Sequence, residues 1–291
     1  MNEELKSPAE LKFGGSWKMV IPFFLLPLLI VAGSVGVFYL FGKLTSYQKT
    51  PQEYLTEIVS SNSHKRWQAA FELSRYIAQN DKDSIDSSVE PAMIEVYRSS
   101  KPDETELRTY LTIALANLGG QSSARLFEET IRNTKNESNQ IYALWALGKI
   151  ASKSSASLVE KKLDSDDPGI RKTAAFSLGF VGDKSHIPAL TRLLDDETKD
   201  VRWNAALALA ELGSAAGKTE ILNLLNPNYL KEQTPLLRSD EREEIVISAI
   251  NAALKINLTQ STKELKHWTV SENTRLKNLS LKALSEFDSK L

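Results

Sequence analysis

A pattern of small, apolar and glycine residues returns every 31 residues through the middle of this chain. From Asn139 it reads NQIYALWALGKIA, from Gly169 GIRKTAAFSLGFVG, and from Asp200 DVRWNAALALAELG. Ala143, Ala174 and Ala205 fall in one column, and Leu147, Leu178 and Leu209 in a second. Ile150, Val181 and Leu212 make a third. Positions four and then three apart share one face of a helix. A helical pair this short cannot bury such a face alone, so the repeats must stack on one another. The expected fold is therefore all-α: a right-handed α-solenoid of about six to seven helical pairs.

The columns run outward when the spacing is allowed to vary. The small-residue column reads Ala69, Leu111, Ala143, Ala174, Ala205, Ala249 and Ser280, and the leucine column Leu73, Leu115, Leu147, Leu178, Leu209, Ala253 and Leu284. Seven first helices are counted in this way, the outermost being the weakest matches, as terminal repeats usually are. Glycines follow several of them, at Gly119-Gly120, Gly182-Asp183 and Gly213-Ser214. These are expected to close the helices in the left-handed conformation. Thr50-Pro51-Gln52-Glu53 and Asp103-Glu104-Thr105-Glu106 read as capping boxes, and Pro168 as a first helical position. Two stretches break the register. There are 11 extra residues between Leu73 and Leu115, and 13 between Leu209 and Ala253. Insertions between repeats commonly project as loops and dock partners.

Upstream lies a different kind of segment. Met19 to Gly42 is 24 residues without a charge, flanked by Lys18 and Lys43. At about 1.5 Å per residue it is long enough to cross a hydrocarbon core of roughly 30 Å. Pro22 and Pro27 are tolerated in such a helix. A signal peptide cleaved near Ala32-Gly33-Ser34 is the competing reading. The apolar run continues through Phe38, Tyr39, Leu40 and Phe41, which suits an uncleaved anchor. The chain thus divides into an N-terminal tail (1–18), a transmembrane helix (19–42), a short linker (43–49) and the solenoid (50–291). Lys6, Lys12 and Lys18 outnumber Lys43 and Lys49, which favours a periplasmic solenoid over a cytoplasmic one.

The string DDPGIRKTAAFSLGFVGDKSHIPALTRLLDD resembles the short bacterial HEAT-like repeat of the phycobilisome-lyase type. The family's elements fall on Asp167, Ile170-Arg171, Ala174-Ala175, Leu178-Gly179, Gly182-Asp183 and Pro188. The next repeat keeps Asp200, Val201-Arg202, Ala205-Ala206 and Gly213 but has no second-helix proline. The likeness is specific from about Asn139 to Leu225. It implies a stacked helical fold and a habit of binding proteins, not a reaction. In such stacks an arginine at the Arg171 and Arg202 position ties adjacent turns through an aspartate, here Asp196 or Asp200.

Catalytic readings find little to stand on. With no cysteine there is no thiolate nucleophile and no thiolate metal site. The three histidines are His64-Lys65, His186-Ile187 and His267-Trp268, none of them the His-Glu pair of HEAT-repeat hydroxylases, and they read as surface or turn residues. No glycine-rich phosphate loop, GxSxG or HExxH occurs. With 36 basic against 37 acidic residues, the chain lacks the positive footprint of a nucleic-acid binder. The expectation is no enzyme, no cofactor and no metal.

What remains is surface. Trp67 and Trp203 belong to a Trp-rich stripe on the first helices and are the aromatics expected to be partly exposed; packing on the adjacent repeat is the competing reading. Glu129, Lys161, Arg192 and Asn223 form a row of mixed sign on the second helices, which usually line the concave face. Tyr229 and Leu236 are apolar side chains in the 13-residue insertion, which either docks a partner or folds back as an extra helical turn. The candidate protein-binding residues are therefore Trp67, Trp203, Lys161, Arg192, Tyr229 and Leu236. The expected function is a membrane-anchored scaffold or docking protein at a bacterial inner membrane. The alternatives are an assembly or maturation factor for a membrane complex, or a lyase-type HEAT-repeat enzyme.

Overall fold

The computed structural model describes residues 31–40, 49–60 and 62–289. It divides into two units, one up to Thr50 and one from Pro51 onward. In the first, residues 31–40 form helix α1, with Val35, Phe38, Tyr39 and Leu40 all exposed. Most of the expected 19–42 span lies outside the described residues. Among those described, no helix is long and apolar enough to cross a membrane.

The second unit is helical from end to end, with no strand among the described residues. Its elements are α2 (Pro51–Ser60), α3 (Ser63–Gln79), α4 (Val89–Ser99), α5 (Thr105–Leu118), α6 (Gln121–Asn133) and α7 (Glu137–Ile150). Next come α8 (Ala156–Glu160), α9 (Pro168–Val181), α10 (Ile187–Arg192), α11 (Lys199–Glu211) and α12 (Lys218–Leu225). The chain then forms α13 (Pro227–Gln233), α14 (Ser239–Lys255), α15 (Thr262–Trp268) and α16 (Thr274–Asp288). Short 3-10 turns, Lys161–Asp164 and Leu193–Asp195, prolong α8 and α10.

Each column of the repeat lands on a first helix. α3, α5, α7, α9 and α11 stack in sequence, followed by α14 and α16. Every member of the small-residue column is buried, and so is every member of the leucine column up to Ala253. Leu284, on α16, is half-buried.

Neighbouring first helices also approach closely one residue after the leucine. A methyl added at Gly148 would lie 2.9 Å from Ser177 Cα, and one at Gly179 3.0 Å from Ala208 Cα. The Ser177 hydroxyl uses this proximity to donate to the Leu144 carbonyl across the α7–α9 junction, at 2.7 Å. The Leu-Gly pair is thus a spacing device. It brings neighbouring first helices to backbone contact, where dispersion is strongest.

Two local expectations are corrected. Gly119 and Gly213 take the left-handed conformation, with φ of 72° and 79°, but Gly182 does not. It leaves α9 in an extended conformation, in a space where an added methyl would meet the Leu178 carbonyl. Asp103 does not cap α5. Glu104 holds the cap position, and its carboxylate instead accepts from the Lys101 backbone amide at 2.8 Å.

The core has two bodies that share α11. Val201, Ala205, Ala208 and Leu209 pack into one with everything upstream; Trp203, Ala206 and Ala210 pack into the other with α12 to α16. The extra residues after α12 form α13, capped by Asn226, whose side chain accepts from the amides of Asn228 and Tyr229. Leu230 on α13 is buried in the second core. The insertion is therefore largely a helix folded back, not a projecting loop.

Candidate protein-binding surface

The arginine seen at Arg171 and Arg202 occupies a longer column. Three residues before the small-residue position stand Arg66, Arg108, Gln140, Arg171 and Arg202. Each reaches the carbonyls that end the preceding second helix. Arg66 donates to Ile58 O at 2.9 Å, Arg108 to Tyr97 O and Ser100 O at 3.2 Å, and Gln140 to Thr134 O at 3.0 Å. Arg171 donates to Ser165 O and Asp166 O at 2.9 Å, and Arg202 to Asp196 O at 2.8 Å. Helix C-termini leave carbonyls unpaired and carry partial negative charge, so a guanidinium satisfies both needs. Past the insertion the device changes. Trp268 donates from its indole to Leu225 O at 2.8 Å, and Arg242 holds the carbonyls of Thr234 and Leu237.

Arg171 also grips the next repeat. Its Nε and Nη2 meet the two carboxylate oxygens of Asp196 at 2.8 and 3.1 Å, a bidentate pair with both side chains nearly buried. Burial alone would raise the Asp196 pKa. Hydrogen bonds from Arg171 and the Thr198 amide, with the charges of Arg171 and Arg202, hold it below the usual carboxylate range. Hydrogen bonding to Asp196 likewise raises Arg171. Of the two aspartates expected here, it is Asp196 that binds. These contacts fasten repeats together.

The six candidate residues separate into three places. Trp67 on α3 is half-buried, stacked on Tyr110 of α5 with ring centroids 6.2 Å apart. Lys161 and Arg192 are exposed on the second-helix side. Arg192 lies 3.4 Å from Asp164, and Arg98 likewise lies 3.0 Å from Glu129 two steps earlier. This mixed row is stitched across neighbouring helices by exposed pairs that contribute little energy. Tyr229 is half-buried against the second core, while Leu236 is 96% exposed.

Trp203 corrects the expectation of exposure: only 5% of it is accessible. The insertion causes this. Trp203 packs in the second core with Leu230 of α13 and Ile247 of α14, and Lys199 lies over its ring at 5.7 Å. Its indole nitrogen is buried without a partner. His186 lies in a turn, one of the two placements expected of it, and is buried there. It closes a capping box with Asp183 at the start of the turn before α10. His64 and His267 are exposed, and no group of histidines and carboxylates suited to a metal occurs among the described residues.

Where α14 follows α11, the stack opens. A cavity of about 480 Å³ lies there, walled by Phe176, Phe180, Leu207 and Ile245, with Asn204, Ser248 and Asn251 as polar points. A second cavity of about 610 Å³ shares Trp203, Asn204 and Ile245 with it and reaches Leu236 and Leu237. The two make one trough along α11. Glu211 pairs with Lys255 and Glu244 with Arg275 around it. Trp203 and Leu236 are therefore brought to one place, while Trp67, Lys161 and Arg192 stand elsewhere. Sequence reasoning missed Phe180, which is 39% exposed, and Ile245. Neither lies in a repeat column, and only the widened α11–α14 step reveals them.

Residues 125–210 and 158–234 match the sequence profile of HEAT repeats, together well under half of the chain. Among solved structures, the complex of CpcE and CpcF of phycocyanin lyase from Nostoc sp. PCC7120 superposes with a TM-score of 0.55 at 17% identity. That match covers 83% of this chain and 96% of the other. An engineered protein covers 83% of this chain and 98% of its own, with TM-score 0.45 and 18% identity. Human deoxyhypusine hydroxylase, in complex with glycerol, reaches a TM-score of 0.36 at 13% identity, over 82% of this chain and 96% of its own. No curated protein matches the sequence. The chain is thus an all-helical repeat solenoid carrying HEAT repeats, similar in fold to phycocyanin lyase CpcE.

Proposed function

We propose that this chain is a membrane-anchored HEAT-repeat scaffold that docks a protein partner, with no chemistry of its own. The observation that carries the docking is the trough along α11. Its apolar walls, Phe176, Phe180, Leu207 and Ile245, are interleaved with charged side chains such as Lys172, Lys199, Asp200 and Glu244, and the fully exposed Leu236 stands at its end. Apolar, aromatic-rimmed concavities of this kind seat the anchor residues of protein partners. CpcE, of similar fold, is in complex with CpcF, a precedent for this architecture engaging a protein.

The anchor rests on the uncharged Met19–Gly42 run. The apolar side chains Val35, Phe38, Tyr39 and Leu40 of α1 are exposed, as such a segment requires. A bacterial inner membrane with a periplasmic solenoid fits the lysine asymmetry. Absence of cysteine and dispersal of the histidines favour binding over catalysis.

Purification from membranes in mild detergent tests the reading. The chain is expected to resist alkaline extraction and to bring down a stoichiometric partner, which Phe180→Ser with Leu236→Ser releases. A partner seen only as a transient precursor indicates an assembly factor instead. Recovery in the soluble fraction with an N-terminus near Val35 shows a cleaved leader and no anchor.

A further inference from the structure

The arginines of the clamp column differ in the charge that meets them. Arg66 lies 2.6 Å from Glu104, Arg171 holds Asp196 through two hydrogen bonds, and Arg202 lies 3.5 Å from Glu220. Arg108 pairs with no carboxylate among the described residues. Its Nη1 donates to the carbonyls of Tyr97 and Ser100 and to the Ser100 hydroxyl, and its guanidinium lies over the Tyr97 ring at 4.0 Å. Its Nε, the atom that in Arg171 meets Asp196, is buried with no acceptor. The repeat shows why. Asp196, six residues before Arg202, accepts from the Thr198 amide at 2.9 Å to close a turn, and the same carboxylate reaches back to Arg171. Six residues before Gln140 the turn is closed by Thr134, whose hydroxyl accepts from the Asn136 amide at 3.1 Å. A hydroxyl serves the turn but has neither a second oxygen nor a charge for Arg108. At the step between, Gln140 replaces the arginine and Ser165 closes the turn, so no guanidinium is left there to be met.

Beside Arg108, helices α4, α5 and α6 enclose a cavity of about 240 Å³ that Asn133 and Thr134 also line. We propose that this cavity receives an aspartate or glutamate side chain of a protein partner, which pairs with Arg108 as Asp196 pairs with Arg171. A guanidinium N–H buried without an acceptor is costly, and buried donors are nearly always met. The carbonyls that end α4 answer Nη1, but they carry only partial charge. A carboxylate matches the planar fork in both geometry and charge. Glu129, the one carboxylate on the cavity wall, is taken by Arg98 at 3.0 Å. The remaining polar groups there, Thr130, Asn133 and Thr134, are neutral and do not repel an anion. The site differs in chemistry and position from the trough along α11. It rests on the reading of the solenoid as a partner-binding surface.

Correlation NMR of arginine Nε–H groups, on the full chain in detergent micelles, tests it, with Arg108→Lys assigning the signal. N-acetyl-aspartate amide is expected to shift the Arg108 signal saturably and to leave that of Arg171 unmoved. N-acetyl-asparagine amide should shift neither. Thr134→Asp gives the chain its own carboxylate at the position Asp196 holds two repeats later. It should raise the melting midpoint, move the Arg108 signal without ligand, and weaken N-acetyl-aspartate amide at least about tenfold, the worth of one charge-assisted hydrogen bond. No saturable shift, an equal shift with the asparagine analogue, or a Thr134→Asp chain with signal and ligand binding unchanged overturns the proposal. So does tighter binding of inorganic phosphate, which identifies a phosphate group as the occupant. Partner capture by Thr134→Asp equal to that of the native chain refutes the partner's carboxylate and leaves the scaffold standing. Binding of N-acetyl-aspartate amide by a chain that captures no partner refutes the scaffold and leaves Arg108 as a carboxylate site.

Discussion

The junction of α9 with α11 and the junction of α11 with α14 use the same helix but behave as different materials. Across the first, Gly179 meets Ala208 at backbone distance and the bidentate Arg171–Asp196 pair locks the turn. Across the second, the equivalent position is Ala210, and the equivalent arginine, Arg202, finds Glu220 at 3.5 Å on its own repeat's second helix. Among the described residues no carboxylate of the following repeat pairs with Arg202, and α13 intervenes at this step. The gap opens as the trough. One face of α11 belongs to a closed stack and the other to a surface with room for a ligand, which teaches that an insertion in a repeat protein creates a site chiefly by forcing the stack apart.

The strongest way to break this comparison is Arg171→Ala. It leaves Asp196 with little exposure and no counter-charge, and removing one partner of a buried pair costs about 3–5 kcal/mol. Arg202→Ala should cost less, since its contact to Glu220 is longer and within its own repeat, and its tie to the preceding repeat is to the Asp196 carbonyl and not to a buried carboxylate. Equal losses of denaturation midpoint for the two variants would show that both junctions are held alike.

Spacing gives the next largest effect. Gly179→Val pushes branched carbons into Ala208, and overpacking of this kind costs roughly 1–3 kcal/mol. Ala210→Val faces the looser junction and is expected to cost less. Ala205→Leu should fall with the first group, because Ala205 is fully buried in the upstream core. Thermal melting ranks all three, and a tolerated Gly179→Val contradicts the close approach.

Acid sharpens the same contrast more gently. The folded pKa of Asp196 lies below its ordinary value, so its contribution is complete above the unfolded carboxylate pKa of about 3.9. It is lost as pH falls through that value towards the folded one, while Arg171 stays charged throughout. Stability should therefore decline more steeply below about pH 4 in the native chain than in Asp196→Asn. Urea midpoints across that range read the difference, and parallel curves would remove Asp196 from the account.

The tight junction was readable in sequence and the open one was not, for a physical reason. Columns such as Ala174, Leu178 and Gly179 encode contacts with neighbours at constant spacing, and periodicity exposes them. Arg66 and Arg108 stand in register with the clamp column, three before Ala69 and Leu111, but the carbonyls they reach, of Ile58, Tyr97 and Ser100, follow no repeat and come from the packing alone. Trp203 reads as exposed because the core it joins, with Leu230 and Ile247, is built from beyond the break in register. Asn226-Pro227 did carry a signal for α13, a capping side chain before a first-turn proline. Nothing local announced that Phe180 and Leu236 would border one trough.

The smallest effect on stability should come from the trough itself, and there it is most informative. Leu236 is 96% exposed, so Leu236→Ser is expected to change stability by no more than about 0.5 kcal/mol. Phe180→Ser, from a side chain 39% exposed, should cost somewhat more without unfolding the stack. If the open junction exists to bind, partner capture falls sharply in both variants while melting hardly moves. Arg171→Ala reverses the pattern, losing stability first and binding only as the solenoid unfolds. Titration of capture against temperature separates the two cases. Loss of binding that tracks melting in every variant would mean that the trough is a packing defect left by α13 and that partners are held elsewhere.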